Sequence, residues 1–390
     1  MKILVNDYSG HPFQLELSTA LADRGHAVWH AYCSTNVTPR ASFDKPGVAV
    51  HAISVGDTFH KYDVKRRVID ELRYGWRSAR LMRRIGPDRV IASNIPLLSL
   101  LVIRFVARLT GTPWVLWLQD VQSGLAQVAD ANPVVTRVAV AVEQHVIRRA
   151  DHVVAISPEM ATKAIEMGAA VDDVSVVENW APVQSLPMHP KSNRWSQKHG
   201  LEDSFVILYS GTLGVKHSPY LLLDLADFYA VVDEAVRIVV VSEGVGADWL
   251  QDELAAKPRD NVTVLPFQPF DDLPEVLAAA DVLVVLLDSE AAHFSVPSKT
   301  LSYLCAGRPV VGSISNANAA ASLISHRAGA GFVVEPGDAT ALCTAVETLR
   351  TSPAMATSMG QAAREYAEQH FDISYITDQF ERILEERRQR

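Results

Sequence analysis

The sequence predicts an α/β protein of two Rossmann-like, doubly wound domains, on three observations. Short apolar runs alternate with amphipathic helical stretches along the whole chain, the pattern of parallel strands buried on both faces. The rhythm breaks once, at residues 181–204, where Pro182, Pro187 and Pro190 stand in a polar, basic stretch, and then restarts. With 390 residues, 48% of them hydrophobic and 21% charged, the chain is long enough for two cores. The expected domains are residues 1–182 and 183–371.

In the first domain, residues 3–5, 27–32, 89–92, 114–118 and 152–156 read as strands. The opening segment carries one cation and an apolar stretch far shorter than a secretory leader, so it reads as a first buried strand. Ser9-Gly10-His11 then turns into a helix marked by Phe13, Leu17 and Leu21, with Gly10 allowing close ligand approach. In the second domain, residues 205–209, 236–241, 262–265, 282–287, 309–312 and 331–334 read as strands, and 373–384 as a last helix. The longest apolar run, 95–103, contains Pro96 and Ser99 and meets Arg104, well short of the roughly 20 residues of a membrane span. Three cysteines, Cys33, Cys305 and Cys343, lack metal-ligand spacing and read as reduced core residues. A net charge of -9 argues against nonspecific nucleic-acid binding.

Two loops carry the chemistry. Gly211-Thr-Leu-Gly-Val-Lys216 follows a strand; Gly211 and Gly214 let backbone approach a ligand, and Ser218-Pro219 reads as an N-cap with proline at the first helical position. Downstream, Ser295-Val-Pro-Ser-Lys299 crowds hydroxyls and a lysine at a helix start, expected to run from Pro297-Ser298 to Ala306 and to stop at Gly307. Free first-turn amides and the positive dipole end hold anions, so the pair reads as a diphosphate cradle. Glu243-Gly-Val-Gly246 reads either as a second ligand turn or as a plain strand-to-helix turn.

These motifs, with Gly25-His-Ala-Val28, Val177-Glu-Asn-Trp180 and Ala306-Gly-Arg-Pro-Val310, make the chain resemble a GT-B-fold glycosyltransferase of the large retaining family 4. The resemblance covers nearly the whole length. It is nearest to the sugar transferases of capsule, O-antigen and colanic-acid clusters, where Ser-Val-Pro-Ser-Lys recurs. It implies two domains facing a central cleft, with the C-terminal helix, residues 372–390, returning to the first. The implied donor contacts are Gly10, Gly211, Thr212, Gly214, Lys216, Ser295, Val296, Ser298, Lys299 and Ser302, with Phe267 or Gln268 against the nucleobase. Departures are equally specific: Phe294 and Ser302 stand where the family has glutamates, Thr212 where it has arginine, and Gln119 where it often has histidine.

On the acceptor side His11 is a candidate donor to phosphate or acceptor oxygen, and equally a capping or core residue. Asp120, after Trp117-Leu-Gln, is the candidate to accept the acceptor's hydroxyl proton, to orient it, or to cap the segment that follows. Lys216 and Lys299 are expected to stabilise the negative charge on the departing diphosphate, so no metal or other cofactor is expected, and no Asp-x-Asp pair occurs. Residues 61–89 hold ten basic and four acidic side chains, +6 against -15 for the remainder. A helix there places Arg66, Arg73, Arg77, Arg80 and Arg84 in one stripe beside Val68, Leu72, Trp76 and Ala79, which suits an anionic membrane surface as well as a solvated face. The expected function is transfer of a hexose or derivative from a nucleoside-diphosphate sugar to a lipid-linked saccharide, on the cytoplasmic face of the inner membrane. The alternatives are a nucleotide-sugar-binding scaffold without activity and a nucleotide-sugar epimerase.

Overall fold

The computed structural model describes residues 1–35, 47–56, 64–123, 133–214, 217–290 and 296–386. They form two compact units, Met1–Asn179 with Asp372–Arg390, and Trp180–Phe371.

The first unit is a seven-stranded parallel sheet in the order β3-β2-β1-β4-β5-β6-β7. Its strands are β1 (Lys2–Asp7), β2 (Ala27–Cys33), β3 (Val48–Ile53), β4 (Arg89–Ser93), β5 (Trp114–Leu118), β6 (His152–Ala155) and β7 (Val174–Val176). The central strands β4, β5 and β6 are buried at every position, as strands covered on both faces must be. Helices α1 (Pro12–Asp23), α2 (Val64–Ile85), α3 (Leu97–Thr110), α4 (Pro133–Ile147) and α5 (Pro158–Glu166) connect them. Gly75 lets α2 and α3 approach closely: a Cβ there would lie 3.0 Å from Ser99 Cα and from Val102 Cβ.

The second unit is a six-stranded parallel sheet, β10-β9-β8-β11-β12-β13. Its strands are β8 (Phe205–Ser210), β9 (Val236–Val241), β10 (Val262–Leu265), β11 (Val282–Leu286), β12 (Val310–Ser313) and β13 (Gly331–Val334). Before, between and after them run α6 (Arg194–Lys198), α7 (Tyr220–Val232), α8 (Val245–Ala256), α9 (Leu273–Ala278), α10 (Lys299–Cys305), α11 (Ala319–Ser322), α12 (Ala339–Thr351) and α13 (Pro353–His370). Residues 181–204 are not a loose connection: Trp195 is buried in the core beneath β8 and β11, and Asn193 caps α6.

The last helix, α14 (Ile373–Glu386), packs within the first unit. Arg24 pairs with Asp378 and Glu381, His26 bonds Glu381 at 2.7 Å, and the fully buried Phe380 ring sits 4.8 Å from Trp117. Phe380→Ala is therefore expected to cost about 3–5 kcal/mol, read as a drop in thermal midpoint, through lost burial and the cavity left behind.

Two helix starts differ from the sequence reading by one residue. Pro219, not Ser218, occupies the N-cap position of α7, and Ser298 precedes α10 in helical conformation without a side-chain capping bond. Ser298 therefore does not cap through its side chain. Among the described residues no helix is long and apolar enough to cross a membrane.

Candidate functional site

Open parallel sheets bind ligands beyond the carboxyl ends of their strands, where the strand order reverses. In the second unit that point lies between β8 and β11. The Gly211 loop leaves β8 there, and the segment after β11 leads to α10.

The loop is held on three sides. Tyr303 from α10 accepts the Ser210 N–H at 2.7 Å and donates its hydroxyl to the Ser210 carbonyl at 2.9 Å. The Gly211 N–H donates to Val241 O at 3.0 Å, and Gly214 N–H to the buried His217 Nδ1 at 2.8 Å. The third side is Glu243-Gly-Val-Gly246. Leu213 N–H donates to Glu243 O at 3.2 Å, and Gly246 N–H returns to Leu213 O at 2.9 Å. A Cβ on Gly246 would stand 2.8 Å from that carbonyl, so this glycine turn serves the Gly211 loop by close packing. It is also the entry to α8, with Gly244 at the N-cap.

Lys299, the first residue of α10, reaches back over the loop. Its ammonium donates to the Tyr209 hydroxyl, lies 3.4 Å from Thr212 O and stands 3.9 Å from the Tyr209 ring centroid. Tyr209 in turn donates to Thr212 O at 2.8 Å. Burial holds its phenol well above the usual range, so it stays a neutral donor. Gly211 has φ +129°, and a Cβ there would meet Lys299 Cε at 3.0 Å. The structure thus brings together Gly211, Thr212 and Lys299, with Gly214 in the same loop.

Of the other donor-side candidates, Lys216 and Ser295, with Phe294, lie outside the described residues. Val296 packs against the core, Ser298 is exposed, and Ser302 is half-buried one turn into α10. Phe267 and Gln268 follow β10, half-buried; the Gln268 amide donates to Pro266 O at 2.9 Å and accepts the Trp195 indole N–H at 3.3 Å.

In the first unit the strand order reverses between β1 and β4. Gly10, with φ +73°, and His11 follow β1, and Asn94, with φ +55°, follows β4. His11 sits at the N-cap of α1 without a side-chain capping bond, its ring stacked on Phe13 at 5.7 Å. Burial pulls its pKa down to about 4, so it is neutral at physiological pH and offers a phosphate a hydrogen bond but no charge. Asp120 is half-buried after β5. The buried Glu143 of α4 holds the turn that follows, its carboxylate accepting Gln122 N–H at 2.8 Å and Ser123 N–H at 2.9 Å. Gln119 forms a reciprocal amide pair with Asn179.

Along α2, Arg66, Arg73, Arg77, Arg80 and Arg84 are all exposed, as are Val68, Ile69, Leu72 and Trp76, the last at 64%. Ala79 is not part of this apolar strip: it is buried with Tyr74, Ser78 and Met82 on the face turned to the unit's interior. Arg73 lies 3.5 Å from Asp70 and Arg77 donates to Ser54 O, which ties both to the protein.

Sequence reasoning missed Tyr209, Tyr303, Asp7, Asn94 and Glu143 as organisers. A tyrosine inside an apolar run signals packing only; an acid closing a strand before a glycine turn was the available sign for Asp7.

Comparison with known proteins agrees with this fold. Residues 11–180 match a glycosyl transferase 4-like domain, and residues 204–352 match the glycosyl transferases group 1. WcaI of Escherichia coli, named for glycosyl transfer in colanic acid biosynthesis, is 28% identical over 76% of this chain and 74% of its own. HepE of Anabaena, solved with UDP-glucose, superposes with a TM-score of 0.74 at 20% identity, over 98% of this chain and 99% of its own. Sucrose-phosphate synthase of Thermosynechococcus elongatus gives 0.77 at 16% identity, over 98% of each. With both halves matched and two parallel Rossmann-like sheets, the chain belongs to the GT-B glycosyltransferases, a 4-like domain followed by a group 1 domain.

Proposed function

We propose that this glycosyltransferase moves a hexosyl group from a nucleoside-diphosphate sugar to a lipid-linked saccharide in the synthesis of a surface polysaccharide, with retention at the anomeric carbon. The observation that carries this reading is Lys299 laid over the Gly211 loop, which sets an ammonium at the switch point of the second sheet. As the acceptor oxygen bonds to the anomeric carbon, the bond to the phosphate oxygen breaks and negative charge grows on the diphosphate. Lys299 meets that charge, and Lys216 is assigned the same role from its place in the loop. The acceptor's proton passes to a phosphate oxygen of the leaving group, which leaves Asp120 to orient the acceptor hydroxyl. No metal ion takes part in this scheme, so a chelator leaves the rate unchanged.

The colanic acid relative and the UDP-glucose complex of HepE support the donor and pathway class. The arginine stripe and the exposed Trp76 of α2 support docking on anionic lipid at the cytoplasmic face of the inner membrane. A second reading, a nucleotide-sugar binder without turnover, is favoured by Ser302, a hydroxyl where the family carries an acid.

A thermal-shift screen of UDP, GDP and their sugars, followed by product analysis with a lipid-linked acceptor panel, tests the activity. Stabilisation and product support transfer; stabilisation without product over the whole panel selects the silent binder; an isomerised sugar nucleotide selects an epimerase. Docking is read by sedimentation with phosphatidylglycerol vesicles. Arg80→Gln/Arg84→Gln is expected to weaken it about 30-fold, because each cation near anionic lipid contributes about 1 kcal/mol. Equal partition of wild type and variant removes the membrane role.

A further inference from the structure

Asp7, the last residue of β1, is a fully buried carboxylate that no step above uses. Its Oδ1 accepts Ser9 N–H at 3.0 Å and its Oδ2 accepts His11 N–H at 2.7 Å. The Gly10 N–H and the Asn94 side chain also bond it. Gln14 of α1, buried, lies 2.6 Å from both carboxylate oxygens and against Ser93 Oγ at the end of β4; with its amide nitrogen toward Asp7 it donates there and accepts from Ser93. The titratable groups around it are the neutral His11 on α1, Tyr74 from α2, Tyr8 beside it on the chain and Cys33 of β2. Among the described residues it forms no ion pair with a lysine or arginine.

A buried carboxylate without a cation costs stability, and a turn that needed one acceptor would be made more cheaply by a neutral side chain. Here both oxygens are taken by N–H groups of one three-residue turn, at the point where the sheet order reverses and Asn94 adopts a left-handed conformation. Strained backbone of that kind persists where the surroundings over-determine it, and it clusters at ligand sites.

We propose that Asp7 is the positioning residue of the first unit's ligand crevice: its ionised carboxylate draws the Ser9, Gly10 and His11 amides and Asn94 into one rigid turn, which presents Gly10 and His11 to a saccharide hydroxyl. The identity of that ligand rests on the transferase reading; the role of Asp7 in the turn does not. Burial pushes the carboxyl up to about 7 against the pull of its amide donors, so both forms are populated near neutrality. Protonated Asp7 donates to the Gln14 carbonyl and gives up an amide of the turn, whereas the ionised form takes the Gln14 NH2. Because the folded pKa exceeds the ordinary aspartate value of 3.8, the fold holds a proton that the unfolded chain releases between that value and about 7. Stability therefore falls as pH rises through this window, while the ordered turn is gained.

With UDP-glucose as probe and UDP release as readout, wild-type turnover is expected to rise about tenfold from pH 6 to pH 8, following ionisation of a group near 7. Asp7→Asn is expected to be flat over that range and at least about tenfold slower at pH 8, with unchanged stabilisation by UDP because the second unit's loops are untouched. A variant with the wild-type rate and pH profile overturns the proposal. Hydrogen exchange of residues 8–14 needs no turnover: protection at pH 8 is expected in wild type and lost in Asp7→Asn, and equal protection overturns the proposal. If the variant does not fold, wild type decides alone. After correction for intrinsic exchange, the segment is expected to be less protected at pH 6 than at pH 8, and no difference overturns the role of Asp7. Loss of protection in the variant, with no sugar nucleotide turned over by either protein, keeps Asp7 and removes the transferase reading.

Discussion

Lys299→Ala is expected to lower turnover by about 100- to 1000-fold, the range found when one fixed partner of a developing oxyanion is removed. The apo protein should lose little stability. Lys299 is half-buried and its tie to Tyr209 is a cation–π contact with a hydrogen bond, worth about 1 kcal/mol or somewhat more at a site of this exposure. A large kinetic loss beside a small change in thermal midpoint therefore distinguishes a charge at the donor phosphates from a residue that holds the fold. Lys299→Arg should recover only part of the rate, because a planar guanidinium replaces a compact ammonium in the narrow space over Gly211. Rates for the three proteins, measured with the donor that gives the largest thermal shift, check this; a wild-type rate in Lys299→Ala removes the lysine from the chemistry.

Gly211→Ala is the second change with a large expected effect, and it acts through the same lysine. At φ +129° an L side chain costs about 1–3 kcal/mol, and its Cβ would meet Lys299 Cε at 3.0 Å, closer than that methylene can accept without moving. Displacing the ammonium by a fraction of an ångström to an ångström is expected to cost up to about 100-fold in rate. If the two residues act as one unit, the losses from Gly211→Ala and Lys299→Ala do not add, since an alanine at 299 leaves nothing for the new Cβ to displace. Additive losses in the double variant show that Gly211 matters for another reason.

The central strands and the two loops were legible in the sequence, because five-residue apolar runs such as Trp114–Leu118 and Val282–Leu286 are how a fully covered parallel strand is written. The edge strands of the second sheet were legible too, but those of the first were not. Val48–Ile53 is half-exposed and interrupted by His51, and Val174–Val176 is three residues long with a serine in its middle, so neither stands out by pattern. Lys299 beside the Gly211 loop was legible as a cluster of small, hydroxyl and cationic residues at a helix start. What holds that lysine was not, because Tyr209 looks like core until the fold curls α10 back over β8. Asp120 shows the opposite limit. Its place after a strand suggested a cap, and nothing in that stretch announced the second carboxylate at the turn, Glu143, about twenty positions along the chain. Ala79 likewise fell on the apolar strip by helical spacing, and only the packing of α2 against its neighbours assigns it inward.

Titration calorimetry of UDP and of GDP into wild type and into Lys299→Ala reads the proposed phosphate clamp without requiring an acceptor. At least one nucleotide should bind wild type with a dissociation constant that rises about 30-fold in the variant, corresponding to roughly 2 kcal/mol for a charge-assisted contact. Equal affinity in the two proteins would mean that the ammonium over Gly211 never touches the diphosphate.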